Sequence, residues 1–191
     1  MSIVFELYVE CLNKVDAEKM ASYFSNITFK LLSGVTASIT VTEQRSESGA
    51  FAVVVFPNVG GLRGIRTLQD ALDCTEAGLH LYKLLQGGPD FDFAHVGLEA
   101  ENVSMVGLQD YLHPLVIAEG EIVWMDFQCV VNDRLYETLG RPKYFHEFRS
   151  GYMWNRYYGE KYSPLFSNDQ DDLNSVCKQL FPESFDSRFW R

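Results

Sequence analysis

The chain has 191 residues, 47% of them hydrophobic and 22% charged, with a formal net charge of −10. This length suits one domain that buries most of its apolar surface without disulfides or structural metals, and the composition excludes the polar, highly charged class of disordered chains. The acidity excludes a generic affinity for nucleic acid or anionic membrane, because such binding depends on Lys and Arg displacing counterions.

Ile3, Phe5, Leu7, Val9 and Cys11 alternate with Val4, Glu6, Tyr8 and Glu10, which predicts a strand with one covered face. Asp16 is placed to cap a short helix reaching about Ser25, with Val15 and Met20 at the spacing of a hydrophobic staple. Residues 28–44 are rich in β-branched types with a bend at Gly34, "RSESGA" reads as a turn, and "FAVVVF" is an apolar strand ended by Pro57 and Asn58. Thr67 with Asp70 resembles a capping box. It opens a helix whose stripe is Leu68, Ala71, Leu72, Thr75, Leu79, Tyr82 and Leu85, stopped by Gly87 to Pro89. Another strand is expected within "DFDFAHVGLEAE".

Strand, helix, strand, strand, helix, strand is the order of a ferredoxin-like βαββαβ sandwich, an α+β fold with an antiparallel sheet, here over about residues 1–100. Further on, "IVWMDFQCVV" predicts one more strand, and Leu173, Val176, Cys177, Leu180 and Phe181 predict a short amphipathic helix stopped by Pro182. No repeat or linker separates the halves. A single domain, 1–191, is therefore expected, with a core over 1–104 and an aromatic-rich extension over 105–191 packed on it.

The charge is segregated. No Lys or Arg occurs between Lys83 and Arg134, where Asp90, Asp92, Glu99, Glu101, Asp110, Glu119, Glu121, Asp126 and Asp133 all fall. From Arg134 to Lys161 the balance reverses, and "GYMWNRYYGEKY" at its end sets rings beside positive charge. Arg149, Tyr152, Trp154, Arg156, Tyr158 and Tyr162 are the candidate binding residues of that segment, since Trp, Tyr and Arg are the types enriched at interface hot spots. If the segment is extended, Tyr152, Trp154, Arg156 and Tyr158 project from one face. The same rings also suit a role covering the back of the sheet.

A second candidate is the loop "PNVGGLRGIRT". Gly60, Gly61 and Gly64 can let amides converge, and Arg63 and Arg66 add charge just before a helix, which is one way to seat an anion. The alternative is a plain crossing loop whose arginines pair with surface acids. His80, His95, His113 and His146 lack metal-ligand spacing; the catalytic candidates are His95, on a strand that can face a cleft, and His146, next to Glu147 and close to Arg149, as a general base, each against an ordinary structural role. The four cysteines form no CxxC pair, and no nucleophile elbow, metal motif or cofactor motif occurs. No signal peptide or run of about 18 apolar residues is present either, so a cytoplasmic, reducing location is expected.

These features predict a non-enzymatic acidic interaction protein that associates with itself or another protein through residues 149–162. The rival expectation is an enzyme or sensor for a small anionic metabolite held at Gly60–Arg66. A third is an acidic inhibitor of a basic protein.

Overall fold

The computed structural model describes residues 4–46, 49–60, 64–65, 67–102, 105, 108, 114–116, 122–124, 127–157 and 159–160. In chain order these form β1 (Phe5–Cys11), α1 (Lys14–Phe24), β2 (Thr28–Lys30), β3 (Thr36–Ser38), β4 (Thr40–Arg45), β5 (Phe51–Phe56), α2 (Leu68–Gln86), β6 (Phe93–Leu98), a 3-10 turn (Ala100–Asn102), β7 (Pro114–Val116), β8 (Ile122–Trp124), β9 (Cys129–Asn132), α3 (Asp133–Thr138), β10 (His146–Arg149) and β11 (Tyr152–Asn155). The class is mixed α and β, built on one seven-stranded sheet in the order β10-β11-β9-β6-β1-β5-β4. Every neighbouring pair in it is antiparallel. The hairpins β2–β3 and β7–β8 stand as separate two-stranded sheets.

One face of the sheet carries both long helices. Phe5, Leu7, Val9 and Cys11 of β1 and Val53 and Val55 of β5 pack there against Ala17, Met20 and Phe24 of α1 and Cys74, Ala77, Leu81, Tyr82 and Leu85 of α2. Helix α2 opens on the expected capping box: the Asp70 amide donates to the Thr67 hydroxyl, and the Thr67 amide donates to the Asp70 carboxylate. Helix α1 is capped by Asn13 rather than Asp16. The Asn13 side chain accepts from the Asp16 amide, and Val15 is 57% exposed, so no staple with Met20 closes.

Helix α2 is wrapped on several sides, which a single apolar stripe does not predict. Its Glu76 accepts the Leu32 amide with both oxygens, each at 2.9 Å, tying α2 to the turn between β2 and β3. On another side the chain after β11 crosses it. The Tyr157 hydroxyl donates to Glu160 and the Glu160 amide donates to Thr75 Oγ1. The Tyr157 ring lies so close to Gly78 that a Cβ there would meet it at 2.7 Å. Gly78→Leu is therefore expected to lose about 1–3 kcal/mol by overpacking, measured as a lower urea midpoint, although the same change at an open helical site gains up to about 1 kcal/mol.

The other face of β1 is also covered, contrary to the expectation of one covered face. All seven β1 residues are buried, including Glu6, Tyr8 and Glu10. A second core forms there from Tyr8, Ala52, Val54, Phe93, Ala100, Leu108, Cys129, Val131 and Phe145, with Leu135 and Leu139 packed against it. The single strand expected over 122–131 is also corrected: β8 pairs with β7, whereas β9 joins the main sheet beside β6. The helix expected at 173–181 lies outside the described residues.

Candidate functional site

The second sheet face concentrates ionisable groups, because the even-numbered residues of β1 alternate onto it. Tyr8 donates its hydroxyl to Glu10 Oε1 at 2.9 Å, and the Met105 amide donates to the same oxygen at 3.3 Å. Glu10 Oε2 is buried without a donor among the described residues. Glu6 accepts the Glu101 amide at 2.7 Å. Burial pushes the Glu6 carboxyl up to about 7, against that hydrogen bond, and burial likewise raises Glu10.

At the end of this face the sheet and α3 enclose a cleft of about 400 Å³, lined by Asp92, Met105, Asn132, Arg134, Leu135, Thr138 and Leu139. Its backbone frame is fixed by hydrogen bonds. The Asp92 amide donates to the Glu10 carbonyl at 2.8 Å, and the Asn132 amide donates to the Asp92 carbonyl at 2.9 Å. Asn132 serves two elements at once: its oxygen caps α3 through the Leu135 amide, and its Nδ2 donates to Asp92 Oδ1 at 2.6 Å. Residues 135 and 139, one helical turn apart, then supply leucines to the cleft. Burial raises the Asp92 carboxyl, opposed by Asn132 and Arg134 and reinforced by Asp16. Apolar walls around a few fixed polar groups, at this volume, are the usual makeup of a small-ligand site.

The residues singled out from sequence lie elsewhere. Tyr152 and Trp154 share a face, as alternation predicts, but that face is turned inward. They are 7% and 6% exposed, because β11 lies between β9 and β10 and its inner side is covered by α2. Trp154 packs on Tyr82 and Phe148, both with ring centroids 5.3 Å away. The Arg149 guanidinium donates to the carbonyls of Gln86, Gly88 and Pro89 and to Asp90, and lies 4.2 Å from the Tyr152 ring centroid. It clamps the turn after α2. Arg156 is half-buried; Tyr158 and Tyr162 lie outside the described residues.

His95 is an interior residue. Its Nε2 donates to the Ala100 carbonyl, and its ring packs among Tyr8, Phe93 and Phe127. His146 is half-buried on β10, paired with Trp154, and its pKa is lowered by burial and by nearby Arg156. In the glycine loop, Gly60 has φ +75°, and a Cβ there would sit 2.7 Å from Cys74 Sγ, so close approach to α2 accounts for that glycine. Gly64 has φ +72°. Gly61, Arg63 and Arg66 lie outside the described residues. The first turn of α2, which follows this loop, already holds the Asp70 carboxylate.

Sequence reasoning missed the cleft, although a signal was present. Asn132 directly before Asp133, followed by Leu135 and Leu139, has the cap and spacing of a short helix with one apolar side. The chain matches no protein family, no curated protein and no solved structure. Among the described residues no helix is long and apolar enough to cross a membrane, and no three His, Cys, Asp or Glu side chains converge as a metal site.

Proposed function

We propose that this chain is a binding protein whose ligand is a small molecule held in the cleft between α3 and the sheet. The observation that carries this reading is the cleft itself, with Met105, Leu135 and Leu139 as apolar walls beside Asp92, Asn132 and Arg134. A ferredoxin-like unit over the first hundred residues, widened by β9, β11 and β10, is the fold we assign to it. The order β6-β1-β5-β4, with α1 and α2 on one face, supports that assignment. In this reading the added strands and α3 build the site, and the fold alone says nothing of the ligand.

Leu135→Trp is the test, because its side chain would fill the cleft from a half-buried position without entering the main core. A thermal-shift screen of small metabolites should give hits with the wild-type chain that the variant loses. A ligand at 100 times its dissociation constant stabilises by about 2.7 kcal/mol, well within detection. Hits that survive in Leu135→Trp would place binding elsewhere.

Self-association is a second reading, favoured by a different surface from the aromatic segment. Leu32 and Val35, in the turn between β2 and β3, are 60% and 46% exposed. Leu32→Ser with Val35→Ser should lower the sedimentation coefficient if that surface joins copies of the chain, and leave it unchanged otherwise.

A further inference from the structure

We propose that the cleft beneath α3 selects a ligand with a protonated amine at one end and a short apolar tail, the ammonium pairing with Asp92 and the tail lying against Leu135 and Leu139. This rests on the binding reading above and adds the chemical class.

Charge around the cleft is the first ground. Asp92 interacts electrostatically with Asp16 of α1 and with Glu10 of β1, while Arg134 is the cation among the lining residues. Asp92 is thus acted on by two further carboxyl groups, of which Asp16 is paired with Lys19, and Arg134 is exposed where Asp92 is half-buried. A positive head group entering here offsets the mutual repulsion of the acids, and an anion adds to it.

The second ground is hydrogen bonding. Asn132 donates to Asp92 Oδ1 and holds the carboxylate in place, while no donor to Asp92 Oδ2 is found among the described residues. Behind the wall residue Met105, whose amide donates to Glu10, the other Glu10 oxygen is buried and also lacks a donor. Two carboxylate oxygens, one lining the cleft and one behind it, thus lack a donor among the described residues. An ammonium brings three donors and no acceptor, which is the complement required.

The apolar part of the lining sets the rest of the ligand. Leu135, Leu139 and Met105 are half-buried in the folded chain, so covering them with a tail of a few methylenes removes apolar surface from water on both partners.

Isothermal titration of the full chain with n-hexylamine, hexanoate and n-hexanol at neutral pH tests this. Hexylamine should bind saturably and about tenfold or more tighter than the other two, the gain expected of a charge-assisted hydrogen bond. Asp92→Asn keeps the size and the contact with Asn132, and should reduce hexylamine to the level of hexanol. Arg134→Gln removes the cation of the lining, which acts on Asp92, and should tighten hexylamine binding. Hexanoate or hexanol binding as tightly as the amine would overturn the amine assignment while leaving the cleft a binding site. So would an amine affinity insensitive to Asp92→Asn in a variant whose circular dichroism matches wild type, or one weakened by Arg134→Gln. Failure of all three probes, together with no hit from the thermal-shift screen, would overturn both.

Discussion

Trp154→Ala is expected to cost the fold about 3–5 kcal/mol, the range for deleting a large aromatic side chain from a packed interior. Trp154 is 6% exposed and stands in a ring cluster with Tyr82 and Phe148, where β11 meets the inner face of α2. The loss would leave a cavity in the core that joins the late strands to the first half of the chain. A surface role predicts the opposite: weakened association with stability unchanged. Urea unfolding of the purified variant separates the two outcomes, because a surface substitution typically moves stability by no more than about 0.5 kcal/mol. Trp154→Phe sharpens the comparison. It retains a ring and removes Nε1, which is buried without an acceptor among the described residues, so its cost should be far smaller.

Glu6→Gln should change the pH dependence of stability. The Glu6 carboxyl is 2% exposed and its pKa is raised by burial from 4.5 to about 7. Its folded pKa therefore lies above its unfolded value. The folded chain keeps this proton over a range in which the unfolded chain has lost it, so the associated stability is full below about pH 4.5 and is lost as pH rises through about 7. Glutamine does not ionise and can still accept the Glu101 amide. The stability of Glu6→Gln relative to wild type should therefore rise by up to about 3 kcal/mol between about pH 4 and pH 8, since one pKa unit corresponds to about 1.4 kcal/mol. Taking this difference cancels the opposite contributions of His80 and His146, whose pKa values are lowered by burial. A difference that stays flat across the range would mean that Glu6 is hydrated in the folded chain.

The parts of the fold legible in the sequence were those set by local pattern. Thr67, Asp70 and the stripe through Leu85 announce α2 because a capping box and a 3.6-residue period need only neighbouring residues. "FAVVVF" maps onto β5 for the same reason. What was not legible depends on residues distant in the chain. Glu6, Tyr8 and Glu10 have the spacing of a solvated strand face, and only the layer containing Ala100, Leu108 and Leu135 makes that face interior. The alternation of Tyr152 and Trp154 was visible, but the side they turn to is decided by α2, about 70 residues earlier.

The cleft was hidden in the same way. Asp92 and Asn132 are 40 residues apart and meet only because β6 and β9 pair. The acidic stretch that ends at Arg134 is visible in the sequence as a charge pattern, whereas its place beside the cleft depends on the sheet.

Methyl-detected NMR reads out whether the cleft under α3 binds a small molecule. A fragment set containing amines, carboxylates and neutral compounds is titrated into the labelled chain. Saturable shifts are expected at the methyl groups of Met105, Leu135 and Leu139, with those of Leu7, Val9 and Leu81 on the α2 side unmoved. Shifts confined to the α2 side, or no saturable shift with any fragment, would rule out the cleft as a binding site.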